Sequence, residues 1–180
     1  MTNADSYVIP QKIIRRFETR DPFRLANALG IQIKILNSLD RQKGFFKVIL
    51  NVSFIFINGN LSEEMQRIIC AHELGHALMH KALCVKQEGF LEYEIFDIQD
   101  DTEYEANAFA SNLLIDEKEM LECFHNGYDV VQTARALNIN VNLLLIKLIE
   151  MKDRDGVPLN VPYVPRRNFL GTIADDAGNF

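Results

Sequence analysis

The run Cys70-Ala71-His72-Glu73-Leu74-Gly75-His76-Ala77-Leu78-Met79-His80 decides how this chain is read. It follows Asn60-Leu61-Ser62-Glu63-Glu64, a polar, acidic helix entry, and Met65, Ile68, Ile69 and Met79 carry the apolar side of a helix to about Lys81. Residues four apart share one helix face, so the imidazoles of His72 and His76 can reach a single metal ion. Zinc suits them, because neutral imidazole binds it well at about 2.0–2.1 Å. Glu73, one step round the helix, is placed to take a proton from a water activated at that ion rather than to bind the ion itself. Gly75 has no Cβ and permits close approach by a neighbouring element.

Two histidines do not complete a catalytic site; a third protein ligand is needed. Glu103 is the candidate, 27 positions after His76. The pattern Thr102-x-x-Glu105 is a capping box that starts a helix at about Glu103, with Ala106, Phe109, Ala110, Leu113 and Leu114 at helical spacing. Asn107 lies four residues on, on the same face, where it can orient Glu103 or His72 by hydrogen bonding. His80 and Glu105 remain alternatives to Glu103. No glycine precedes His80 to bend the chain toward a shared ion, so it reads as a helix-end residue favoured by the negative helix terminus. Glu105 is less well placed beside Asn107.

Upstream, Asp21-Pro22-Phe23 starts a short helix that Gly30 stops. The period-two run Ile31 to Ile35 is a strand, Gln42-Lys43-Gly44 a turn, Phe45 to Leu50 a second strand and Phe54 to Ile57 a third. Together they predict a small three-stranded, mainly antiparallel sheet packed beside the histidine helix, in an α+β fold. Phe54 to Ile57 is taken as an edge able to receive a substrate strand. Downstream, helices are expected at Val130 to Leu137 and Val141 to Met151, resembling a helix-turn-helix in outline but poor in positive charge. The expected organisation is a catalytic-type domain over 1–125, a helical extension over 126–152 and a proline-containing tail over 153–180.

The whole chain has 180 residues and a net charge of −6, which argues against binding driven by nucleic-acid phosphates. Lys86 to Glu105 alone holds eight acidic residues against one lysine, so the acidity is local. That segment reads as a solvated loop, or as a flap that steers a basic partner. Cys70, Cys84 and Cys123 cannot all pair within one chain and read as reduced thiols, with Cys70 in the core. The longest apolar stretch, Val48 to Ile57, is too short for a bilayer, and the first residues lack a signal core. The expected location is cytoplasmic, with no membrane partner.

The run Cys70 to His80 closely resembles the signature of the ImmA/IrrE metallo-endopeptidases. Glu103-Tyr104-Glu105-Ala106-Asn107-Ala108-Phe109-Ala110-Ser111-Asn112-Leu113-Leu114 resembles that family's second helix. The likeness extends from about Asp21 to Met151, and departs at Ile115-Asp116, where many relatives carry Met-Pro. It implies a zincin-like fold, one Zn2+ held by His72, His76 and Glu103, and Glu73 as catalytic base. It also implies hydrolysis of a peptide bond in a DNA-binding repressor of the helix-turn-helix type, as in the control of mobile elements. The competing expectation is a non-catalytic partner-binding module stapled by zinc. Tyr93, Tyr104, Tyr128, Tyr163, His80 and His125 are all chemically able to stabilise an oxyanion.

Overall fold

The computed structural model describes residues 3–39, 41–82 and 100–156, and most of its elements begin at a recognisable local signal. After helix α1 (Asn3–Phe17), Asp21 caps α2 (Pro22–Ala28), its carboxylate accepting from the N–H groups of Phe23 and Arg24. Strands β1 (Gln32–Leu36), β2 (Gly44–Ile49) and β3 (Val52–Asn58) follow. Ser62 caps α3 (Glu63–Met79) by accepting from the Met65 N–H. Helices α4 (Asp100–Leu114), α5 (Glu117–His125), α6 (Val130–Ala136) and α7 (Val141–Asp155) complete the described chain.

Several expectations are corrected. The sheet is mixed: its order is β1-β3-β2, with β1 parallel and β2 antiparallel to β3. The tight turn at Leu50 and Asn51, both at positive φ, folds β3 back along β2 and into the slot beside β1. Phe54 to Ile57 therefore lies in the central strand, paired on both sides, and cannot accept an added strand. Among the described residues the edges are β1 and β2. Thr102 is already helical in α4, so it is no N-cap, and α7 runs past Met151 to Gly156, whose φ of 67° ends it. Helices α1 and α5 were not anticipated. Pro10 interrupts the reading of the first, and only Met120 of the second is buried.

Ser53, Ile55 and Ile57 of β3 are buried, while Phe45, Phe54 and Phe56 stack with ring centroids 4.6 and 5.9 Å apart. The main core gathers Leu25, Ile55, Ile57, Ile69, Leu74, Phe109 and Leu113. A second cluster joins Ile115, Met120, Ala134, Ile139, Leu148 and Met151. Helix α7 serves both: Leu143 and Ile146 enter the first, Leu144, Leu148 and Met151 the second. With so much of its surface buried, α7 is a packing helix rather than an exposed recognition helix. No helix among the described residues is long and apolar enough to cross a membrane. Most of the acidic segment lies outside the described residues, as does the tail from 157; Asp100 to Glu105 belong to α4.

Candidate metal centre

Two glycines let the elements of the site close on one another. A Cβ at Gly75 would stand 3.2 Å from three atoms of Phe109, so its absence allows α4 to lie tightly on α3, as the sequence suggested. Gly44 begins β2 rather than forming a turn. A Cβ there would overlap Ile69 Cγ2 and stand 2.7 Å from the Phe56 carbonyl oxygen, so glycine brings β2 against the histidine helix.

On the facing sides of α3 and α4, ligand atoms of His72, His76 and Glu103 all lie within 4.8 Å of one another. His72 Nε2 is 3.1 Å from His76 Nε2 and 3.4 Å from Glu103 Oε2, and His76 Nε2 is 3.2 Å from Glu103 Oε1. Donors about 2.0–2.2 Å from a tetrahedral ion are separated by about 3.3–3.6 Å. The two imidazoles and the carboxylate therefore fit a divalent cation in both chemistry and spacing. Asn107 Oδ1 accepts from His72 Nδ1 at 2.9 Å, leaving the lone pair on the Nε2 that faces Glu103. Asn107 thus hydrogen-bonds His72, one of the two partners open to it from its position in the sequence.

Glu73 is 7% exposed. Burial, opposed by His76 and reinforced by Glu103, raises its pKa to about 7, while the Phe46 N–H of β2 donates to the carboxylate. Sequence reasoning missed this backbone contact, because no side chain announces it. Burial would raise Glu103 as well, but the adjacent imidazoles of His72 and His76 hold it below the usual carboxylate range.

The alternatives to Glu103 meet each other instead. His80 caps α3, with Nε2 3.5 Å from Glu105 Oε2, and neither belongs to the three-ligand group. His80 is buried and its pKa falls to about 4, first through desolvation and then through His76. It is therefore neutral at pH 7 and gains nothing from the helix end as a charge. Cys70 is fully buried, as expected, and desolvation pushes its thiol pKa far up. Tyr104 is engaged elsewhere, donating to Glu150 Oε1 at 2.9 Å, and Tyr128 and His125 lie exposed at the end of α5. Tyr93, Tyr163 and Cys84 lie outside the described residues. Where the chain departs from Met-Pro, Asp116 caps α5 and pairs with Arg20 at 2.9 Å, and Arg20 also donates to the Leu113 carbonyl at the end of α4.

Comparison with known proteins identifies the family of the chain. Residues 26–148 match the model of the IrrE N-terminal-like domain, a peptidase family. The chain is 33% identical over 105 residues to the uncharacterized immunity region protein 2 of Bacillus phage phi105. That alignment covers 58% of this chain and 65% of the phage protein, a little under two thirds of its length. It is also 27% identical over 140 residues to the metallopeptidase ImmA of Bacillus subtilis (strain 168), covering 72% of this chain and 75% of that one. The family model spans well over half of the chain and its matched region contains the whole His72–His76–Glu103 cluster, so the chain belongs to the ImmA/IrrE family of metallopeptidases.

Proposed function

We propose that the chain is a zinc-dependent endopeptidase, with His72, His76 and Glu103 as metal ligands, Glu73 as general base and Asn107 as the residue that orients His72. The observation that carries this reading is the convergence of two imidazole Nε2 atoms and one carboxylate beside a buried glutamate. A divalent ion in that cluster would supply Lewis-acid polarisation of a carbonyl and acidify a water for attack. The rest of the chemistry belongs to the chain. Glu73, whose burial favours the protonated form, can take up and release a proton, first as base and then as donor to the leaving amine. The Phe46 N–H fixes its carboxylate against β2, and Asn107 fixes the tautomer and ring plane of His72.

The substrate we propose is a DNA-binding repressor of the helix-turn-helix type. Support comes from the ImmA relative and from a phage relative named for an immunity region. The place of action we propose is the cytoplasm, where such a repressor resides.

The test is metal content and cleavage of a panel of purified helix-turn-helix repressors by wild type, Glu103→Ala and Glu73→Gln. Wild type should carry about one zinc per chain and cut a repressor, and Glu103→Ala should lose the metal. Glu73→Gln should keep the metal and lose about 10²–10⁴-fold in rate. A Glu73→Gln variant with full activity removes Glu73 from the mechanism. Absence of cleavage, with unfolding on chelation, favours the zinc-stapled binding module.

A further inference from the structure

We propose that His80 and Glu105 form a second divalent-cation site, one helical turn beyond the first, for a zinc-type ion that accepts nitrogen and carboxylate donors. His80 continues the row of His72 and His76 along α3, and the His76 and His80 rings lie 5.4 Å apart between centroids. Its side chain is 5% exposed, yet among the described residues His80 Nε2 has no hydrogen-bond partner. Buried polar atoms are paired as a rule, so an orphaned nitrogen calls for a reason.

The nearest acidic group is Glu105 Oε2, at 3.5 Å and outside hydrogen-bond geometry. That separation suits two donors sharing one ion at about 2.1 Å each. The Glu105 side chain is itself only 15% exposed. A buried imidazole nitrogen without a hydrogen-bond partner and a carboxylate at ligand spacing together describe a cation site. With only two protein donors, this site binds more weakly than the three-ligand cluster. It does not require the first site to be catalytic.

The experiment is zinc titration of the metal-stripped full-length chain by calorimetry, with metal counted by elemental analysis after gel filtration. Wild type should take up two equivalents, one tight and one weaker. Glu105→Gln and His80→Gln should each abolish the weaker equivalent and keep the tight one, while Glu103→Ala should do the reverse. A single equivalent in wild type that persists in Glu105→Gln overturns the proposal, as does a second equivalent that survives in both variants. Far-UV circular dichroism checks folding; if His80→Gln does not fold, Glu105→Gln decides alone. A wild type that shows only the weaker, Glu105-dependent equivalent overturns the three-ligand reading and leaves the second site standing.

Discussion

Helix α4 contributes to two buried polar clusters that differ in what completes them. At its start, Glu103 and Asn107 face His72 and His76; near its end, Asn112 faces Lys147 of α7. Lys147 is fully buried and donates to Asn112 Oδ1 and Glu117 Oε1, both at 2.7 Å. Glu117 in turn accepts from Arg154 at 2.9 Å, and the Arg154 guanidinium lies 4.2 Å over the Tyr7 ring. There the protein supplies both signs of charge, and the cluster is closed by its own groups. The histidine cluster offers electron-pair donors alone, turned toward one another at 3.1–3.4 Å. Burial of both signs makes a staple, whereas burial of donors alone makes a ligand set.

The largest expected effect separates the two clusters. Lys147→Met leaves Asn112 and Glu117 facing an apolar chain and should cost about 3–5 kcal/mol, as for removal of one partner of a buried pair. Urea denaturation of the metal-free protein measures it, and the zinc stoichiometry of the refolded variant should be unchanged. A loss under 0.5 kcal/mol, on the order expected of a surface substitution, would mean that the Lys147 cluster is no staple.

A comparable effect tests the burial of Glu73 without metal. Its folded pKa is raised from 4.5 to about 7, so the folded chain binds a proton there that the unfolded chain has released. The resulting stabilisation is full below pH 4.5 and lost as pH rises to about 7. Above that, metal-free Glu73→Gln should exceed metal-free wild type by about 3 kcal/mol, at 1.36 kcal/mol per pKa unit. The two should agree in acid. Parallel pH profiles from pH 4 to 8 would show that Glu73 is not desolvated.

The smallest effect concerns Asn107. Asn107→Ala should weaken zinc binding by about 10–100-fold, because His72 loses the partner that sets its tautomer. Competition with a chromogenic chelator reads this directly, and unchanged affinity would reduce Asn107 to a packing residue.

The sites that were legible were those whose geometry is helical. His72, His76 and Asn107 could be placed because four residues on a helix always return to one face. Asp21 could be placed because a cap acts within a few residues of itself. Helix α1 was not legible: Pro10 lies inside it, and its packing against the rest of the fold is remote in sequence. Glu105 looked like a rival for the Glu103 position, and only the packing of α4 on α3 turned it toward His80.

By itself, then, the sequence determined the histidine helix, the glutamate helix and the family to which they belong, because those signals are local and periodic. Tertiary structure alone decided the place of β3 at the centre of the sheet, the donation from the Phe46 N–H to Glu73 and the burial of Lys147. Each of these depends on backbone groups or distant side chains meeting across the core. Such meetings follow from how whole elements exclude water together, and no short stretch of residues records them.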